Sequence, residues 1–135
     1  MDETHHRQET ESVRRIGIVG TLAISKKDKP LFFWLGRALF RLNKELLAIQ
    51  TKGLVGQVRD GFELEGGSVV QLEGNLVEAA DRTYAFVDDK LMKALSNRYQ
   101  DIENREDIVL IWPKDYEELR QVVSDIMGER GIPRP

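Results

Sequence analysis

The sequence predicts a domain that is mainly β with flanking helices, an α+β arrangement, and three stretches carry that expectation. Residues 68–80 (SVVQLEGNLVEAA) alternate, with Val70, Leu72 and Leu76 on one side and Gln71, Glu73 and Asn75 on the other. That is the period of a strand with one buried and one wetter face. Residues 16–25 (IGIVGTLAIS) are rich in β-branched side chains, and residues 108–112 (IVLIW) form an apolar run stopped by Pro113, both marks of buried strands. Two amphipathic patterns supply the helices. Tyr84, Val87, Leu91, Leu95 and Tyr99 form a stripe behind Asp81, a good N-cap, and Leu119, Val122, Val123 and Ile126 form another across residues 115–127, with Gly128 as the stop.

The remaining elements follow in chain order. Residues 1–14 read as a polar arm, 15–128 as a single domain and 129–135 as a tail. After the first strand, Lys26, Lys27, Asp28, Lys29 and Pro30 make a polar turn, so that residues 31–35 (LFFWL) return antiparallel as a strand that is apolar on both faces. Residues 36–50 admit two readings. Leu35, Leu39, Leu42 and Leu46 recur at helical spacing, while Phe32, Trp34, Ala38, Phe40 and Leu42 hold a period of two, with residues 42–45 as a hairpin turn before a strand at 46–50. Residues 51–60 (TKGLVGQVRD), with two glycines, read as a loop or one irregular helical turn, and residues 62–65 as a short strand leading into the Gly66-Gly67 turn. Gly74 marks a bulge or bend in the strand at 68–80. Asp88 is a second capping residue should the following helix break.

Composition narrows the function. The chain has 135 residues, 41% hydrophobic and 32% charged, with a net charge of -3, which suits one domain with a real core. An acidic balance argues against a nucleic-acid face, and the Lys26, Lys27, Lys29 run reads as a solvated turn. There is no cysteine, so disulfides and thiolate chemistry are absent and a cytoplasmic, reducing setting is expected. No apolar run approaches a membrane span and no secretory leader is visible. His5 and His6, the two histidines, are adjacent in the arm, where neighbours on a helix diverge by about 100° and do not converge on a metal.

Catalytic motifs are few. No triad can be assembled without a core histidine or cysteine, and the pairs Asp88-Asp89 and Glu117-Glu118 face apart on helices. Neither dinucleotide nor phosphate-loop glycine fingerprints occur, and no carboxylate spacing predicts a metal site. The candidate anion site is Thr51-Lys52-Gly53, where a hydroxyl, an ammonium and a glycine N–H at a strand end can hold one phosphate. Trp34 and Trp112 offer flat surfaces for a ring, a role weighed against ordinary core packing.

Taken in order, the chain resembles the pyridoxamine 5'-phosphate oxidase-like FMN-binding split-barrel family. The resemblance spans about residues 15–114. It rests on the succession of GTLAIS, a charged turn closed by proline, PLFFW, a strand ending at Thr51, a basic loop, VVQLEGNLVEAAD, a helix and DIVLIWP. It implies a split β-barrel of about six antiparallel strands, with an N-terminal helix or arm, a helix after the central strand and a C-terminal helix, and it favours strands in residues 36–50. It further implies a homodimer with FMN in the groove between subunits, with Thr51 and Lys52 at the flavin phosphate and Gln57 and Arg59 on the following loop; Trp112, for its ring's ability to stack on a flat ligand, completes the candidate cofactor-binding set. No catalytic residue is assigned. The function so implied is an oxidoreductase passing hydride or electrons to or from a small soluble substrate. The alternative is a non-catalytic homodimer that binds flavin, deazaflavin, haem or a protein partner. The chain departs from the family where Val55, Gly56 and Gln57 replace a loop cation, a loss worth about 1 kcal/mol or more of phosphate binding.

Overall fold

In the computed structural model, residues 15–21, 24–112 and 116–127 are described. The polar arm, the tail and the first residue of the expected last helix, Asp115, lie outside them. Five strands form one sheet: β1 (Ile16–Gly20), β2 (Glu45–Ala48), β3 (Ser68–Gln71), β4 (Arg82–Phe86) and β5 (Ile108–Ile111), in the order β3-β2-β1-β4-β5. Every pairing is parallel, with Ile16 opposite Leu46 on one side and Arg82 on the other. Parallel neighbours need crossovers, and the helices supply them: α1 (Lys29–Leu39), α2 (Gly53–Leu64), α3 (Leu76–Ala79) and α4 (Asp89–Arg98), with α5 (Tyr116–Met127) after the last strand. One side of the sheet, carrying Ile16, Ile18, Tyr84 and Phe86, packs on α1, α2 and α5. The other, carrying Ala85 and Val87, packs on α3 and α4.

The antiparallel split barrel is therefore overturned, and each departure has a local cause. Pro30 does not close a hairpin. It sits in the first turn of α1, where its fixed φ suits a helix and its missing N–H goes unneeded. LFFWL is apolar all round because α1 is wedged between the sheet and its neighbouring helices, with Leu31, Phe32, Trp34, Leu35, Ala38 and Leu39 all buried. Residues 36–50 resolve into the end of α1, a turn and β2, which runs parallel to β1. The expected loop at 51–60 and the short strand at 62–65 are both absorbed into α2. The strand at 68–80 stops at Gln71. Asn75 then adopts a left-handed backbone and α3 follows, so Gly74 marks a turn and not a bend in a barrel strand. Asp81 caps no helix. Residues 83–87 are buried on both faces as β4 and its exit, the signature of a central parallel strand. The helix starts at Asp89, where the Asp88 carboxylate accepts from the Leu91 N–H at 2.8 Å. The strand at 108–112 and the last helix stand close to their expected places.

Two features set how tightly the layers close. A Cβ at Gly36 in α1 would fall on the carbonyl oxygen of Val58 in α2, and a Cβ at Gly61 would fall on that of Phe33. The two helices thus touch backbone to backbone through a reciprocal pair of glycines. Arg37 in α1 reaches Glu65 just beyond α2 at 2.6 Å and fixes their register. The second feature is a flaw. Thr83 is 1% exposed and its hydroxyl has no hydrogen-bond partner among the described residues. An unsatisfied buried hydroxyl costs about 1–3 kcal/mol, so Thr83→Val, equal in shape, is expected to raise the urea midpoint; an unchanged or lower midpoint would show the hydroxyl to be satisfied.

Candidate functional site at the carboxyl edge of the sheet

Because all strands run the same way, their exits line one edge. Thr21 follows β1, residues 49–52 follow β2, residues 72–75 follow β3, Val87 and Asp88 follow β4, and Trp112 follows β5. The chain leaves β1 toward β2 on one side and leaves β4 toward β5 on the other. In open parallel sheets that reversal opens a crevice outside the strand ends, where ligands settle. Here the reversal falls between β1 and β4, which end at Gly20 and Phe86. A Cβ at Gly20 would come within 3.0 Å of the Phe86 Cβ and 3.1 Å of Leu54, so the two strand ends are closely packed there.

The bank on the β2 side is the stretch singled out as an anion site. Lys52 is extended at the N-cap of α2, and Gly53 turns left-handed with φ 58 to start the helix, a conformation that glycine adopts without strain. Neither α2 nor α1 has an acidic residue in its first turn, and neither carries a side-chain N-cap hydrogen bond. Asp28, at the start of α1, instead accepts from the Ser25 hydroxyl at 2.7 Å. On the opposite bank the Asp88 carboxylate is engaged in its cap.

Of the residues predicted for a cofactor, Thr51, Lys52 and Trp112 come to this edge. Gln57 and Arg59 do not, since they lie farther along α2, and Arg59 pairs with its neighbour Asp60 at 3.0 Å. The flavin groove between barrel subunits has no counterpart in a parallel sheet. The homodimer implied by the split-barrel resemblance loses its support with the barrel, because helices cover both faces of this sheet. Sequence reasoning passed over Lys26, Lys27 and Lys29 as a solvated turn. They lead into α1 at the same edge as Lys52. The signal that could have found them is the alternation of short apolar runs with helical patterns, which marks βαβ units.

A second group of ionisable residues, between α3, α4 and β5, is internally satisfied. The Tyr99 hydroxyl donates to Glu78 at 3.0 Å, Arg98 lies 3.8 Å from the same carboxylate, and Arg105 forms a two-point bridge to Asp107. Arg98 and Arg105 also sit over the Tyr99 ring, at 5.5 and 5.2 Å from its centroid. A backbone hydrogen bond, with the Tyr99 hydroxyl and the two arginines, holds the Glu78 carboxyl below its ordinary range. Partial burial and the Glu78 carboxylate push the Tyr99 phenol up. The hydrogen bonds from Arg105 hold Asp107 down. Beside this group is a hollow of about 290 Å³ lined by Ser96, Tyr99, Asp101, Ile102 and Glu103. It lies where α4 ends, at the opposite edge from the strand exits.

No set of three or more metal-ligating side chains occurs among the described residues, and no helix among them is long and apolar enough to cross a membrane. The strand order and the parallel pairing define the class: an open, Rossmann-like α/β domain. No model of a known protein family matches the chain, and no curated protein matches it. Among solved structures it is similar to a molybdenum cofactor carrier protein from Chlamydomonas reinhardtii. The two share 11% identity with a TM-score of 0.56, over 84% of each chain. At that identity the likeness establishes the fold, and it replaces the split barrel.

Proposed function

We propose that the chain binds a phosphorylated small-molecule cofactor or nucleotide across the carboxyl ends of β1 and β4. The observation that carries this reading is the β1/β4 reversal, with Thr51, Lys52 and the opening turn of α2 on one bank. The Thr51 hydroxyl, the Lys52 ammonium and the free N–H groups of that turn are the donor set that a phosphate takes. Trp112, half-buried at the end of β5, offers its ring to the uncharged part of the ligand. The fold-level likeness to a protein whose stated role is to carry a molybdenum cofactor supports binding over flavin-driven redox chemistry, as an analogy of architecture.

Amide chemical-shift mapping on the full chain tests it, with ADP and the molybdenum cofactor as probes. Shifts are expected at Gly20, Thr21, Thr51 to Gly53, Val87 and Asp88, and at the Trp112 indole. No shift with either probe, or shifts confined to the hollow around Tyr99 and Asp101, would overturn the reading.

A further inference from the structure

We propose that the β1–β2 side of this edge recognises a polyanion, the diphosphate or triphosphate group of the ligand, through Lys26, Lys27, Lys29 and Lys52. The inference rests on the binding reading above and names the chemical class of its ligand. Four of the chain's eight lysines stand on two connections at one edge of a protein whose net charge is -3. All four are exposed. None is within ion-pair distance of a carboxylate among the described residues, whereas Arg37, Arg59, Arg98 and Arg105 each have one.

The placement follows from the topology. α1 and α2 both run back from the carboxyl edge, so they are parallel, and the Gly36 and Gly61 contacts press them together. Phe40 packs edge-on to Phe62 at 5.7 Å, and Arg37 reaches Glu65. With that offset the start of α1, at Lys29, is level with the start of α2, at Gly53. Lys29 and Lys52 therefore stand at the starts of two touching helices, and the four lysines flank one patch from two sides. A single phosphate satisfies one side, while a chain of two or three phosphates reaches both. Four lysines gathered around one carboxylate, that of Asp28, which accepts from the Ser25 hydroxyl, leave a net positive patch whose charges repel each other. A multiply charged anion relieves that repulsion, and its binding weakens as salt screens it.

Titration calorimetry on the full chain with inorganic pyrophosphate and orthophosphate decides the matter. Pyrophosphate is expected to bind at least ten-fold tighter than orthophosphate, and to lose affinity as sodium chloride is raised. The triple variant K26A/K27A/K52A is expected to lose ten-fold or more in pyrophosphate affinity. K44A/K93A/R120A, which removes the same charge from exposed sites elsewhere, is expected to bind as the wild type does. Equal affinity for the two anions, an unaffected lysine triple, or equal loss in both triples would each overturn the proposal. If ADP shifts the crevice amides equally in wild type and in K26A/K27A, only the polyphosphate inference falls. If pyrophosphate binds through the lysines while neither ADP nor the molybdenum cofactor shifts the crevice, the cofactor reading falls by itself.

Discussion

Gly36→Ala and Gly61→Ala are each expected to destabilise the domain by about 3 kcal/mol or more, at the severe end of overpacking. The added methyl group has nowhere to go. At Gly36 it would meet the Val58 carbonyl oxygen and lie 2.9 Å from the Phe62 nitrogen; at Gly61 it would meet the Phe33 carbonyl oxygen and lie 3.2 Å from the Arg37 nitrogen. These are backbone atoms locked into helical hydrogen bonds, so no side chain can swing aside to make room. Relief requires α1 and α2 to separate, which opens the core around Phe32, Leu35, Val58 and Phe62, all at 1% exposure or less. Gly74→Ala provides the contrast, since nothing lies within 4 Å of its Cβ position, and it is expected to change stability little. Urea unfolding followed by tryptophan fluorescence, with Trp34 on α1 as reporter, checks the set. Equal stability of Gly36→Ala and Gly74→Ala would refute the close approach of the two helices.

The second large effect is expected at Phe86. Its ring is fully buried at the end of β4 and meets Phe32 edge to face, with centroids 5.6 Å apart and planes at 71°. Truncation to alanine removes this contact and leaves a cavity at the end of β4, at an expected cost of about 3–5 kcal/mol. Phe86→Leu refills most of the volume and should recover the larger part. The same denaturation curves report both variants. A loss under about 1 kcal/mol for Phe86→Ala would mean that the surrounding core collapses to fill the gap.

The sequence showed its strands more clearly than the way they connect. β1, β2 and β5 stand close to where β-branched and aliphatic runs predict them, because a buried strand needs those residue types in either kind of sheet. Parallel or antiparallel pairing depends on what lies between the strands, and there the local signals conflicted. Residues 31–35 have no polar face, so a helix buried on several sides looked like a central strand. Residues 83–87 carry Tyr84 and Val87 at helical spacing from Leu91 and Leu95 by coincidence of register, and this hid β4 inside an apparent helix. The resemblance to a split barrel then turned the open choice at residues 36–50 the wrong way. Thr51 and Lys52 read as a candidate anion site from the sequence because their chemistry is local. The neighbouring lysines do not, because only the βαβ connection brings residues 26–29 beside residue 52.

The placement of β1 also bears on how the chain is made. Its two neighbours are β2, translated soon after it, and β4, which ends at Phe86. At ribosomal rates of roughly 5–20 residues per second, the second neighbour is synthesised several seconds after the first strand. Through that interval one backbone edge of Ile16–Gly20 lacks the ladder that will finally flank it. The nascent domain thus holds its central strand half-paired until more than half of its length exists.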